Sequence, residues 1–190
     1  MKPKDDKKLD AIVRASHALV REKGLTALTL ADIARAAGIA TSTLYIYYPS
    51  KQALLDDVYE RSKTATFERL AAAAGPDLPV KARIRQIWLN MLENRLAHPA
   101  EMLFQEQYVS SHFLSPSNRE LGARFSRFFE AILEQGQAGE TLKAVALPFL
   151  IASIIASVRE ISKLIHLKVL PDDQDTRATG FQLCWDAIKA

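Results

Sequence analysis

Apolar residues recur three and four positions apart along almost the whole chain, and no stretch alternates convincingly at every second position. That spacing marks one face of a helix, so the chain is expected to be all-α. A first helix is expected over about 9–23, with Leu9, Ile12, Val13, Ser16, Leu19 and Val20 on its inner face and Gly24 as its stop. A second, short one begins at the cap Thr29, with Asp32 three residues on in an approximate capping box, and ends at Gly38. A third starts at Thr41-Ser42-Thr43 and stops before Pro49. A fourth runs from the Ser50 cap to about 74, where Gly75-Pro76-Asp77-Leu78-Pro79 breaks the chain. Further helices are expected near 80–97, 99–110, 117–135, 141–167 and 174–189, about nine in all. Ser117-Asn118-Arg119-Glu120 reads as a capping box. The pattern divides into a small N-terminal unit, 1–49, and a larger helical unit, 50–190.

Composition narrows this only a little. The 190 residues are 48% hydrophobic and 25% charged, which is ordinary globular usage. Net charge is +3, but residues 1–51 hold 9 Lys and Arg against 5 Asp and Glu, a net of +4. A basic first quarter suits a polyanionic partner, and it suits a solvated terminus equally well. The single cysteine, Cys184, excludes an internal disulfide and lies among Phe181, Leu183 and Trp185, as a small buried hydrophobe would. Histidines 17, 98, 112 and 166 are scattered without ligand spacing, so neither a metal nor a cofactor is called for. The charged start argues against a secretion signal. The longest charge-free apolar run, 144–158, has 15 residues, short of the roughly 20 a membrane span needs. A soluble cytoplasmic protein is expected.

The chemistry concentrates in residues 29–51. Two short helices flank a Gly-containing turn. Ala34 is small where a second helix must cross. Gly38 follows four residues later, where the turn needs positive φ or lacks room for a side chain. Ile33, Ile39 and Leu44 supply the apolar lock. This is the spacing of a helix-turn-helix, and an ordinary helical hairpin can carry it too. The third helix offers Thr41, Ser42, Thr43, Tyr45 and Tyr47, compact hydroxyl groups suited to phosphates, with methyls and rings suited to thymine methyls. Lys51 stands where its ammonium and the free amides of the next helix can hold a phosphate. Tyr48 continues the Leu44 stripe and is assigned to the core.

The runs Leu28-Thr29-Leu30-Ala31-Asp32-Ile33-Ala34-Arg35-Ala36-Ala37-Gly38-Ile39 and Thr43-Leu44-Tyr45-Ile46-Tyr47-Tyr48-Pro49-Ser50-Lys51-Gln52-Ala53-Leu54-Leu55 closely resemble the DNA-binding domain of TetR-type transcriptional regulators. Arg21-Glu22-Lys23-Gly24 also fits, and the likeness covers about residues 8–60. It implies an all-helical homodimer, usually a repressor, that leaves its operator when a small ligand binds the C-terminal domain. Carried over, Thr41 and Ser42 match base-facing positions. Thr43, Tyr45 and Tyr47 match positions that touch phosphate, sugar or thymine methyls, Thr29 a phosphate-contacting cap, and Lys51 the lysine opening the fourth helix. Two departures stand out. Ala40 replaces a frequent Ser, removing one capping or phosphate contact. Ile46 replaces a polar or aromatic residue, so a base contact there would be apolar. The helix also lacks Arg and Gln, the side chains that read guanine and adenine bidentately.

Beyond the fourth helix the resemblance thins. Trp88, Met91, Met102, Phe104, Tyr108 and Phe128, with the polar Gln107 and His112, can fill a helical core or line an apolar cavity. The resemblance implies the cavity, for a small and largely apolar effector. The 141–167 segment is apolar nearly all round from 144 to 158, so two sides need cover. Burial inside the monomer is one solution and an intersubunit bundle the other. The resemblance implies the bundle, and Phe149, Ile151, Ile155, Phe181, Trp185 and Ile188 are its expected residues. Two-fold symmetry then predicts a near-palindromic operator with half-sites about one DNA turn apart. An enzyme would need a phosphate loop, paired carboxylates or a catalytic Cys context, and none is legible. An adaptor using the helix-turn-helix for protein contacts is the remaining alternative.

Overall fold

The computed structural model describes residues 6–71 and 78–190, and among these it contains nine α-helices and no strand. They are α1 (Asp6–Ala27), α2 (Leu30–Ala36), α3 (Thr41–Tyr47), α4 (Lys51–Ala71), α5 (Val80–Ala97), α6 (Pro99–Val109), α7 (Pro116–Ala138), α8 (Leu147–His166) and α9 (Gln174–Ile188). The expected run of α4 to 74, the break at 75–77 and the charged start at 1–5 lie outside the described residues. The described helices form two compact units. One holds residues up to 65 together with 99–122, the other 66–98 together with 123–190. The boundary expected at 49 and 50 therefore marks the end of the helix-turn-helix, not the edge of a compact unit. The first turns of α4 and all of α6 belong with α1–α3, because Leu54, Leu55, Val58, Tyr59, Phe104 and Tyr108 share one buried cluster with Leu9, Ile12, Ile33 and Leu44.

In the first unit α1 packs on α6 and α2. α1 is broken at Gly24, whose φ of 79° and ψ of 163° are non-helical. The break leaves the Leu25 amide without a helical acceptor, and Gln107 Oε1 of α6 accepts it at 2.8 Å. Three helices, α4, α6 and α7, meet around Tyr108. Its hydroxyl donates to Asp56 Oδ1 and accepts from Asn118 Nδ2 at 2.9 Å. Its ring stacks on Tyr59 at 4.5 Å. Burial first, and then the hydrogen bond to Asp56, push the Tyr108 phenol above its ordinary pKa, while burial pushes Tyr59 up to about 12. His17 Nε2 and Ser62 Oγ lie 2.8 Å apart, and that hydroxyl donates to the Val58 carbonyl, so the imidazole is the donor.

In the second unit α8 packs on α5 and α9. Leu150, Ile154 and Val158 form the buried stripe of α8, and Phe181, Cys184, Trp185 and Ile188 that of α9. At Gly180 an added Cβ would fall 2.5 Å from Ile161 Cδ1 and 3.0 Å from Trp88 Cη2, so any other residue would make those side chains shift. Two boundaries differ from expectation. α7 is capped by Ser115, whose Oγ accepts from Asn118 N at 3.3 Å, with Pro116 as first helical residue, not by Ser117. α8 begins at Leu147 instead of 141, because Pro148 lacks an amide proton and is accommodated only in a helix's first turn. Residues 141–146 instead follow the end of α9, with an antiparallel bridge between Leu142 and Lys189.

Candidate nucleic-acid interface

Thr29 sits in extended backbone, φ −120° and ψ 155°, and its Oγ1 accepts from Asp32 N at 3.2 Å, capping α2 as its position in the sequence requires. The same hydroxyl donates to Asp32 Oδ2 at 2.6 Å, and that carboxylate also takes Lys23 Nζ. The Lys23 hydrogen bond first, then the Thr29 one, hold Asp32 at about 2, well below the usual carboxylate range. The turn from α2 into α3 passes through Gly38 at φ 68°. A Cβ there would meet nothing within 4 Å, so the turn demands left-handed backbone and not space. Ala34 and Ile33 are fully buried against Leu44, the one buried residue of α3. This lock leaves the opposite side of α3 outward.

That outward side carries Thr41, Ser42, Tyr45 and Ile46, spaced i, i+1, i+4 and i+5 along one helix face. Tyr45 is 54% exposed and Ile46 82%. Thr43 and Tyr47 are half-buried at its margin. Among the described residues the hydroxyls of Thr41, Ser42 and Tyr45 have no hydrogen-bond partner. Ala40 makes no side-chain cap, as its replacement of serine implies. Tyr48 is buried as expected and donates to Asp57 Oδ2, which also accepts Arg61 Nε at 2.8 Å. Burial, then that hydrogen bond, raise its phenol pKa.

Lys51 opens α4, as its sequence position suggests. Its Nζ donates to the Thr26 carbonyl at 2.8 Å and lies 5.0 Å from the Phe113 ring centre, and burial lowers its pKa. The side chain thus pins the start of α4 to the last turn of α1. Gln52 Nε2 adds a bond to the Phe113 carbonyl at 2.7 Å. Neither Gln52 nor Asp56 carries a sequence signal for this role, because their partners lie about sixty residues away.

The eight residues expected to line a cavity divide between the units. Met102, Phe104, Gln107, Tyr108 and His112 fall in the first, and Trp88, Met91 and Phe128 in the second. Phe104 and Tyr108 are core residues, Gln107 serves Leu25, and His112 is exposed with its ring 4.0 Å from Phe113. Trp88 is fully buried, its Nε1 donating to Ser157 Oγ at 2.9 Å. Phe128 joins a half-buried aromatic group in the second unit, where Phe67 stacks on Phe125 at 4.2 Å and meets Phe128 edge-on at 5.5 Å. Of the residues expected at a dimer contact, Phe181, Trp185 and Ile188 are instead interior to their own chain, because helical phase turns them toward Trp88 and α8. Phe149 is 69% exposed, Ile155 is exposed and Ile151 half-buried. Leu183, 67% exposed on α9, belongs to this outward set. Among the described residues no helix is long and apolar enough to cross a membrane.

This arrangement has known counterparts. The chain is 26% identical over 117 residues to the nucleoid occlusion factor SlmA of Pasteurella multocida, covering 62% of this chain and 57% of that protein. It is 26% identical over 123 residues to the HTH-type transcriptional repressor KstR2 of Rhodococcus jostii, covering 62% and 59%. The chain thus spans little more than half the length of these relatives. A TetR family transcription regulator from Marinobacter aquaeolei VT8 superposes with a TM-score of 0.91 over 100% of this chain and 99% of its own, at 21% identity, which speaks for the fold. The family model for bacterial regulatory proteins of the tetR family matches residues 12–58, and that for the tetracyclin repressor-like C-terminal domain matches 62–190. With both parts of its length matched, the chain belongs to the tetR family of bacterial regulatory proteins, a family of DNA-binding transcription regulators and not of enzymes.

Proposed function

We propose that this protein is a cytoplasmic repressor that binds an operator as a symmetric dimer and releases it when a small, largely apolar effector is bound. The observation that carries the reading is the outward face of α3. It presents unpartnered hydroxyls and apolar groups on a helix locked by Ala34, Gly38 and Leu44. Hydroxyls suit phosphates and sugar edges, and exposed apolar groups suit base methyls in the major groove. The exposed Phe149, Ile155 and Leu183 support a second copy on α8 and α9. Two-fold pairing calls for a near-palindromic operator, with half-sites about 34–36 Å apart. The half-buried Phe67, Phe125 and Phe128 support an apolar effector. Such an effector acts by preferring the dimer geometry that does not fit the operator.

The test is in vitro selection of bound duplexes followed by binding titrations at several salt concentrations. Affinity is expected to fall steeply with salt and to favour a palindromic consensus. Binding that is salt-insensitive or indifferent to sequence would overturn the reading.

A further inference from the structure

We infer that Ile46 reads a thymine, its side chain resting on the thymine C5-methyl group, and that thymine methyls carry the sequence preference of α3. The inference rests on the DNA-binding reading above. From Thr41 to Tyr47, α3 contains no Arg, Lys, Asn, Gln, Asp or Glu. Bidentate recognition of guanine or of adenine needs one of those side chains, so the hydroxyls of this face are left single hydrogen bonds to polar base edges. The base feature in the major groove that an apolar group reads is the thymine methyl. Within α3, Ile46 is the aliphatic side chain that the fold leaves outside. Leu44 is buried in the lock, whereas Ile46 is 82% exposed beside the exposed ring of Tyr45. The neighbouring Thr41 and Ser42 hydroxyls are compact enough to let the helix approach the base edges. Lys51, the cation nearest in sequence, is turned toward the Thr26 carbonyl and the Phe113 ring.

The experiment uses the full chain and its selected operator. Each consensus thymine is replaced in turn by deoxyuridine, which removes the methyl and leaves base pairing intact. One position per half-site is expected to lose about fourfold in affinity, the worth of one methyl group removed from water. In Ile46→Ala the same replacement is expected to make no difference, while the thermal unfolding curve stays unchanged because the side chain is exposed. A wild-type protein that prefers its consensus yet tolerates deoxyuridine everywhere would overturn the inference alone. So would an undiminished deoxyuridine penalty in Ile46→Ala. A wild-type protein with no sequence preference would overturn the DNA-binding reading with it.

Discussion

Two exposed apolar patches on this molecule have similar exposure and different neighbours. On α3, Ile46 and Tyr45 stand beside Thr41 and Ser42, in the basic first quarter of the chain. On α8 and α9, Phe149, Ile155 and Leu183 stand among alanines such as Ala152 and Ala156. An apolar group ringed by hydroxyls can be covered by a surface that is itself partly polar and charged. An apolar stripe flanked by methyl groups is satisfied by another such stripe. On the function proposed above both are contact surfaces, and the flanking chemistry separates a nucleic-acid partner from a protein one.

The largest effect should come from the second patch. Phe149→Asp combined with Leu183→Asp is expected to give a monomer in sedimentation velocity, with helicity unchanged because both residues are exposed. Operator affinity should then fall about 10²-fold or more, since two tethered recognition helices bind far better than one. A double variant that remains dimeric would remove α8 and α9 from the dimer contact. Next comes Gln107→Ala, which strips the acceptor from the Leu25 amide. The first unit should lose about 1–3 kcal/mol, read as a lower urea midpoint, because a part-buried donor is left unpaired. That change would weaken DNA binding through the scaffold and leave the α8–α9 contact alone.

Ile46→Gln tests the first patch by giving it a different chemistry. Selection with this variant should replace the thymine at one half-site position with adenine, which glutamine reads bidentately, with little change in thermal stability. The smallest effect concerns Asp32. Its carboxyl is held at about 2 when folded and titrates near 3.9 in an unfolded chain. The depressed value contributes stability that is complete above about pH 4 and lost as pH falls toward 2. Asp32→Asn should flatten that acid limb by lowering the unfolding midpoint modestly at neutral pH, where the ionised carboxylate contributes, and hardly at all near pH 2.

Much of the first unit was legible in local sequence. Thr29, Gly38 and Leu44 act through capping, positive φ and helical phase, and each is read within about ten residues of its neighbours. The departures Ala40 and Ile46 were legible in the same way. Elsewhere local reading reached its limit. Ser115 and not Ser117 caps α7, and the two hydroxyls two residues apart offer the same chemistry until the following proline is placed. From sequence Gln107 is a candidate cavity residue, because nothing near it in sequence reveals the open amide at Leu25.

What the sequence determined by itself was the helical period, the helix-turn-helix with its lock, and the absence of charged and amide side chains on α3. These are properties of neighbouring residues and of side-chain chemistry. Tertiary structure decided which face of each C-terminal helix is inside. Phe181, Trp185 and Ile188 turned inward onto Trp88 and α8, and Leu183 was left outward. Helices with apolar residues on several sides have no single preferred face. Packing geometry selects it, here through the close approach at Gly180 that draws α9 against Ile161 and Trp88.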